Sequence, residues 1–300
     1  MKRVWWFSAL ALVGVASAAG LATAGQSSSE GTERPAEGAR ASALADFRLV
    51  ETELSVPAGS QVSGRSMCFP SGTVVWGGGV AIDGDMEGRV NSSYPLPTGR
   101  GWQVYVSNLS THSMVFWVYA VCAQQPAGYK IVAKAGYLAP AGWGSSGIAV
   151  CPAGSVALSG GGLSSSRDLN ISLNSTQPTL GETRGGLAGW QTALTNQSAA
   201  VGNAKLTVYA VCAKPPAGYE PRFGSSTNGA GQRDIASVSC VPAGKVVVGV
   251  GAYSSEKFWT TINTLVPNIG GGGGGGEGLV AVNNGGTRPA DLLTVAICVS

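Results

Sequence analysis

The sequence predicts an all-β protein built from three homologous antiparallel units of about 85 residues. In each unit a cysteine is followed nine residues later by a glycine-rich segment and 27 residues later by a proline. The three sets are Cys68, Gly77 and Pro95; Cys151, Gly160 and Pro178; and Cys240, Gly249 and Pro267. Equal offsets in three places indicate internal triplication.

Each unit also ends on a similar strand that contains its second cysteine. Val118–Cys122 and Val208–Cys212 both read Val-Tyr-Ala-Val-Cys, and Val295–Val299 reads Val-Ala-Ile-Cys-Val. Between these landmarks, short runs that alternate apolar and polar residues are separated by Pro-Ala-Gly turns, and no run has helical periodicity. The predicted repeats therefore span residues 46–124, 125–214 and 215–300.

The N-terminus predicts export. Lys2 and Arg3 precede an apolar run, 4–16, and small residues suited to signal cleavage lie near Ala18 and Ala24. Residues 1–24 are therefore interpreted as a signal peptide. The apolar run is shorter than the roughly 20 residues that span a bilayer, and no later segment resembles a membrane span, so we expect no stable membrane insertion.

The composition of the chain predicts a flexible leader and disfavours one class of partner. Residues 25–45 are rich in Gly, Ser, Ala and Glu, which predicts a flexible leader that cannot bury enough apolar surface to fold. The formal net charge is +3, and the Lys and Arg residues form no basic stripe interleaved with aromatic residues. Nucleic acid is therefore not an expected partner.

The six cysteines predict disulfides. Zinc is disfavoured, since no Cys-x-x-Cys occurs and the only histidine is His112. Two pairings respect the repeats. In the favoured one each unit closes on itself and is self-sufficient, which joins Cys68 to Cys122, Cys151 to Cys212 and Cys240 to Cys298. In the other, Cys122 meets Cys151, Cys212 meets Cys240, and Cys68 meets Cys298 across the ends.

The glycine-rich segments favour close packing over phosphate binding. A phosphate-binding loop needs a following helix whose N-terminus faces the anion, and no helix follows here. Glycine inside a strand marks a bulge or a close approach of another backbone. Three equivalent glycine strands therefore predict tight packing near a pseudo-threefold axis, with Trp76, Trp102 and Trp190 in the core.

The repeat resembles known secreted proteins. Its Cys-Pro-Ala-Gly turn, glycine strand, Gly-Trp-Gln strand and Val-Tyr-Ala-Val-Cys ending resemble a repeat of secreted bacterial proteins of largely unassigned function. More distantly, the threefold set of small antiparallel sheets is similar to the β-prism of the vitelline-membrane outer-layer family and of jacalin-type lectins. The resemblance implies a β-prism-like arrangement. The glycine and acid pattern by which jacalin-type lectins hold sugars is not reproduced, so no binding residue is carried over.

An acidic alternation in the first unit is a candidate calcium loop. Asp83, Asp85 and Glu87 alternate with other residues as such a loop begins, but the twelfth position is Tyr94 where a bidentate Glu is needed. No helices flank it, and the other units do not repeat it. We therefore predict no metal and no cofactor. We interpret this acidic segment as the solvent-exposed tip of a hairpin.

The same loop has counterparts in the other units. Asp168 follows Arg167 in the second unit, and Glu256, Phe258 and Trp259 lie in the third. Threefold symmetry would gather these loops at one end. Mixed charges beside adjacent aromatic residues suit a shallow contact surface for a sugar or peptide, since at most one of two adjacent rings in a strand can point inward.

These patterns predict an exported, non-enzymatic module that binds extracellular carbohydrate or a cell-envelope polymer. Its candidate ligand-binding residues are Asp83, Asp85, Glu87, Asp168, Glu256, Phe258 and Trp259. One alternative is a structural or protein-interaction module without a small ligand. Another is a hydrolase that uses Asp83, Asp85 and Glu87, although a single turn histidine and scarce acids offer catalysis little support.

Overall fold

The chain folds into 18 β-strands arranged as three six-stranded antiparallel sheets, and the described residues contain no helix. The computed structural model describes residues 47–83, 86–179, 186–269 and 275–300. The predicted signal peptide and leader, and also Asp85, lie outside the described residues. Three similar units are arranged as in a β-prism, as the sequence predicts.

Each unit contributes six strands in the same order. The first unit contains β1 (Arg48–Val56), β2 (Ser60–Met67), β3 (Thr73–Ile82), β4 (Gly88–Pro95), β5 (Gly101–Asn108) and β6 (Met114–Gln124). The second contains β7 (Lys130–Pro140), β8 (Trp143–Val150), β9 (Val156–Ser164), β10 (Ile171–Thr179), β11 (Gly189–Asn196) and β12 (Asn203–Ala213). The third contains β13 (Glu220–Asn228), β14 (Arg233–Ser239), β15 (Val246–Ser254), β16 (Thr260–Asn268), β17 (Glu277–Asn284) and β18 (Ala290–Val299).

Every sheet combines strands from two units. The strand orders are β1-β6-β3-β16-β17-β14, β13-β18-β15-β10-β11-β8 and β2-β5-β4-β9-β12-β7. In each, the first, sixth and third strands of one unit pair with the fourth, fifth and second strands of another. No unit completes a sheet alone, so the expectation that each unit is self-sufficient is wrong. The expected hairpin tip at Asp83 is also wrong, because that loop joins β3 and β4, which lie in different sheets. Of the consecutive strands that the structure describes in each unit, only the fourth and fifth pair as a hairpin, and the sequence could not show which strands lie beside each other.

The two halves of each sheet meet at a seam formed by a glycine strand. Only one register pair joins β3 to β16, Val80 opposite Leu265. A Cβ atom placed on Gly79 would lie 1.9 Å from the Leu265 carbonyl oxygen, and one on Gly161 would lie 1.9 Å from the Ser93 carbonyl oxygen. Because only glycine lacks a Cβ atom, these residues allow the backbones of two units to come into contact.

The three glycine strands also meet one another. A Cβ on Gly77 would lie 1.8 Å from the Val248 carbonyl oxygen and 2.9 Å from Ser159 Cβ. A Cβ on Gly249 would likewise lie 3.0 Å from Ser159 Cβ. Strands of all three units therefore converge on the pseudo-threefold axis, which confirms the predicted close packing.

The register corrects one detail of the repeat alignment. Gly77 pairs with Val121 and Gly249 with Ile297, but the equivalent partner in the second unit, Val211, pairs with Ser159 rather than Gly160. Equal offsets from the cysteines thus conceal a one-residue shift. The turn after Cys151 is one residue shorter than the turn after Cys240, because its Pro-Ala-Gly begins immediately after the cysteine.

Two units place a tryptophan against a glycine in the core. Trp102 is 1% exposed and packs on Gly78, with its indole N–H donating to Ser93 Oγ at 2.8 Å. Trp190 is 0% exposed and packs on Gly160 in the same way, donating to Thr176 Oγ1. Trp76 is also buried, so the predicted core tryptophans are confirmed.

The third unit has different residues at all three positions of this arrangement. Gly278 stands at the tryptophan position, Val250 at the glycine position, and Leu265 at the position of the hydroxyl acceptor. A Cβ on Gly278 would lie 3.2 Å from Val250 Cγ2. The third unit thus has a smaller residue, Gly278, where the other units have tryptophan, and a larger one, Val250, where they have glycine. The two differences compensate, so the packing volume is conserved.

Asparagines at the ends of β5, β11 and β17 fix the loops that follow. Asn108, Asn196 and Asn284 are each 0% exposed. Each side-chain amide donates to two backbone carbonyls from different segments; for Asn196 these are Ala139 and Val201, at 3.0 and 3.1 Å. Buried amides with satisfied donors hold neighbouring turns in place at one end of the sheets.

The disulfides confirm the first of the two pairings. Cys68 is bonded to Cys122, Cys151 to Cys212 and Cys240 to Cys298, and no cysteine is free. Three disulfides fit an extracellular protein. Within the described ranges, no helix has the length and apolar character needed to span a membrane.

Gly79→Ala should destabilise the protein strongly, because the new methyl group would collide with the Leu265 backbone at a seam that cannot widen without separating two units. We expect the free energy of unfolding to fall by about 3 kcal/mol or more, measured by urea denaturation. Gly202→Ala is the matched control, since a Cβ there meets nothing within 4 Å. Equal effects of the two substitutions would contradict the tight seam.

Gly278→Trp should destabilise the protein, because Val250 fills the space that glycine provides in the other units. Combining it with Val250→Gly and Leu265→Thr recreates the arrangement of the second unit. We expect a favourable coupling of at least about 1 kcal/mol in a mutant cycle followed by urea denaturation. Strict additivity would show that the three positions do not form a set.

Candidate functional site

The loops between the third and fourth strands of the three units converge at one end of the molecule. Of the described residues, this loop end comprises 83, 86–87, 165–170 and 255–259, with the neighbouring segments 109–113, 197–202 and 285–289. They converge because the strands alternate in direction, so equivalent loops of all three units leave the sheets on the same side.

Side chains link the three units at this end. Arg89 Nη1 donates to Gln197 Oε1 at 3.2 Å, which joins the first and second units. Gln197 Nε2 donates to the Phe258 carbonyl oxygen at 2.8 Å, joining the second to the third. Asn283 Nδ2 donates to the Met86 carbonyl oxygen at 3.0 Å and joins the third to the first. The loop end is therefore one connected surface.

A pocket of about 200 Å³ lies where these links meet. It is lined by Met86, Glu87, Arg89, Gln197, Trp259, Thr261, Asn283 and Gly285. We call it the axial pocket. All three units contribute to it, so the pocket exists only when the ring of units is closed.

Trp259 forms one wall of the axial pocket and is 52% exposed. Phe258 beside it is half-buried, and the two rings meet edge to face with centroids 5.0 Å apart. The Trp259 carbonyl oxygen accepts a hydrogen bond from Gly285 N at 2.9 Å, which fixes its backbone independently of the indole. An indole held in this way offers a rigid apolar face to a ligand.

A second pocket of about 270 Å³ lies beside the same tryptophan. We call it the lateral pocket; it is lined by Glu256, Trp259, Gly286, Thr287 and Arg288. A Cβ on Gly286 would lie 2.9 Å from Trp259 Cβ, so this glycine lets its loop pack closely against the tryptophan. Trp259 is thus shared by the two pockets.

The charges of the loop end are mixed. Burial lowers the pKa of Arg89 below its usual value, and the nearby Glu87 carboxylate opposes that shift. Burial likewise lowers the pKa of Arg233, with Asp83 opposing. Arg233 Nη2 also donates to Asn263 Oδ1 at 3.1 Å. Acidic and basic groups therefore lie close together at the loop end.

Asp168 holds its own loop together. One carboxylate oxygen accepts from Asn170 N at 2.8 Å, and the other accepts from Ser198 Oγ at 2.8 Å. Ser198 is 3% exposed and in turn accepts hydrogen bonds from two backbone amides. Both oxygens of this predicted ligand-binding residue are thus engaged within the protein, which favours a structural role.

The other predicted residues separate into two groups. Glu87, Glu256 and Trp259 line the pockets, and Phe258 supports Trp259. Asp83 is exposed beside Arg233, and Asp85 lies outside the described residues. Among the residues that the structure describes, no group of three His, Cys, Asp or Glu side chains could hold a metal ion.

The opposite end of the sheets contains a wider pocket of about 420 Å³. Its wall consists of Gly154, Ser155, Val156, Gly186, Leu187, Ala188, Pro215 and Tyr219. Small and aliphatic residues dominate this wall, and none of the lining residues that the structure describes carries a charge. The Tyr219 hydroxyl donates to the Ala157 carbonyl oxygen at 3.2 Å. The loop end is therefore the richer candidate for specific recognition.

Sequence reasoning missed several pocket residues. No sequence motif marks these residues, because they lie near strand ends or in polar loops. They are Arg89, Gln197, Thr261, Asn283 and Arg288. One sequence feature could have located Gln197. It directly follows Asn196, and Asn196 is equivalent to Asn108 of the first unit. Recognising these asparagines as strand ends would have placed the following residues at the loop end.

A scan against protein-family models finds no match for this chain. A search of the curated proteins finds none that matches either. The geometry of the loop end is therefore the basis for proposing a function.

Asp168→Ala should lower the free energy of unfolding by about 1–3 kcal/mol, because it leaves the buried Ser198 hydroxyl without its acceptor. Glu256→Ala is the control. Its side chain lines the lateral pocket, and no described residue bonds its carboxylate, so we expect a change within about 0.5 kcal/mol. Urea denaturation measures both. Equal losses would contradict the structural role of Asp168.

Proposed function

We propose that this protein is an exported, non-enzymatic module that binds an extracellular carbohydrate or cell-envelope polymer through its loop end. One observation carries the proposal: a half-exposed tryptophan, Trp259, is shared by two pockets, and each pocket also has polar and charged side chains in its wall. Sugar rings have apolar C–H faces and hydroxyl edges. An indole face suits the first, and flanking amide, carboxylate and guanidinium groups suit the second.

The axial pocket supplies such groups. Gln197 brings a side-chain amide, Thr261 a hydroxyl, and Glu87 and Arg89 opposite charges. Amides and hydroxyls both donate and accept hydrogen bonds, as sugar hydroxyls do. The links between the units hold these groups before any ligand arrives, which reduces the entropy cost of binding.

Export is part of the proposal. The n-region Lys2-Arg3, the apolar run 4–16 and small residues near Ala18 and Ala24 support a cleaved signal peptide. The three disulfides support the same destination, because such bonds persist in oxidising compartments.

Trp259→Ala should weaken retention on the bound polymer by about 1–3 kcal/mol, the range for losing an aromatic anchor. Stability should change little, since the side chain is half-exposed and its backbone contacts persist. The measurement is a pull-down on insoluble polysaccharides and cell-wall fractions, with the melting temperature recorded in parallel.

Trp143→Ala is the matched control for this experiment. Trp143 is 69% exposed at the start of β8 and lines neither pocket at the loop end. Wild-type binding that is lost with Trp259 and kept without Trp143 supports the site. No retention of the wild-type protein, or equal losses for both variants, rejects it in favour of a protein-directed module.

A further inference from the structure

We propose that the polymer bound at the loop end is uncharged, and that two consecutive sugar residues of it occupy the axial and lateral pockets on either side of Trp259. This inference rests on the proposed function and adds the chemical class of the ligand and the way it is placed.

The size of the pockets limits what each can hold. Their volumes, about 200 and 270 Å³, both fall below the roughly 300–1,000 Å³ typical of sites that enclose a drug-sized ligand. Each pocket is therefore suited to a single small ring. Since Trp259 belongs to both walls, a ligand that fills both pockets must pass over or beside its indole.

The charge balance of each pocket excludes a strong preference for anions. The axial pocket contains Glu87 and Arg89, and the lateral pocket contains Glu256 and Arg288. Each pair sums to zero formal charge. An acidic polymer would meet a carboxylate in each pocket as well as a cation, whereas hydroxyl groups can bond to both members of a pair.

Two further cations of the loop end, Arg167 and Lys257, each lie over an aromatic ring. The Arg167 guanidinium lies 3.4 Å above the ring centre of Tyr105, and Lys257 Nζ lies 4.9 Å from that of Tyr253. Neither residue lines a loop-end pocket. Cations placed over aromatic faces are held by the sheets, so they do not concentrate positive charge at the pockets.

Asn283 is a buried polar residue in the wall of the axial pocket. Its side chain is 2% exposed, and its Nδ2 donates to the carbonyl oxygens of Met86 and Gly88. Within the described ranges, nothing donates to its Oδ1. A buried acceptor without a donor is costly. This oxygen is shielded from solvent, so a ligand in the axial pocket does not reach it, and Asn283 contributes to the site by holding the pocket wall in place.

The first test is the salt dependence of binding to whichever polymer the wild-type protein retains. Salt screens charge–charge attraction but leaves stacking and neutral hydrogen bonds largely intact. Between about 50 and 500 mM NaCl we expect the dissociation constant to change less than about twofold. A tenfold or greater weakening over that range would show an anionic ligand and overturn the inference.

The second test uses soluble fragments of the retained polymer. The disaccharide should bind at least about tenfold more tightly than the monosaccharide, because it adds a second pocket, and the trisaccharide should match the disaccharide within about twofold. Affinity that rises evenly with length, or that is already complete for the monosaccharide, contradicts two-pocket binding.

A variant pair tests the lateral pocket separately. Arg288→Ala should weaken disaccharide binding at least about fivefold, whereas Arg167→Ala, an exposed arginine of the same end that lines neither pocket, should leave it within about twofold. Equal effects overturn the inference. These failures are distinct from failure of the proposed function, in which Trp259→Ala leaves polymer retention intact.

Discussion

The contact of bare backbones at the glycine strands is the constraint on which the rest of the structure depends. At Gly77 and Gly79 a single added carbon atom would overlap a carbonyl oxygen of another unit. Glycine at the seam allows the third strand of one unit to lie against the fourth strand of another. At the axis, Gly77 and Gly249 leave room for the side chain of Ser159. From this follow the three mixed sheets, the closed ring, and the placement of equivalent loops at one end.

A symmetric frame supports an asymmetric site. The sheets, the disulfides and the strand-end asparagines recur in all three units, but the aromatic pair occurs only in the third loop and the Glu87 and Arg89 pair only in the first. Loops tolerate sequence change better than the strands that carry them. The repeated core therefore keeps its packing, even where Gly278 replaces a tryptophan, while the loops differ in sequence from unit to unit.

Much of the fold could be predicted, because the repeat left local marks. The repeated cysteine spacing reduced the disulfides to two symmetric pairings, of which the favoured one is correct. Alternation of apolar and polar residues located strands, and the glycine segments indicated the axis. The exchange of half-sheets was not predictable, since periodicity shows which face of a strand is buried but not which strand lies at its other edge. The one-residue shift in register at Ser159 could not be predicted either, because the shorter turn after Cys151 keeps the offset from cysteine to glycine equal. At the site, Trp259 was found because adjacent aromatics are conspicuous, whereas Gln197 and Asn283 gain meaning only from contacts between units.

The central claim is that the three units form one interleaved structure. Calorimetry of the oxidised protein tests it most directly, by comparing the measured enthalpy of unfolding with the van't Hoff enthalpy from the shape of the transition. Because no unit completes a sheet alone, we predict a single transition and a ratio of van't Hoff to calorimetric enthalpy near 1. Separate transitions, or a van't Hoff enthalpy of about one third of the calorimetric value, would show three independent units and contradict the account.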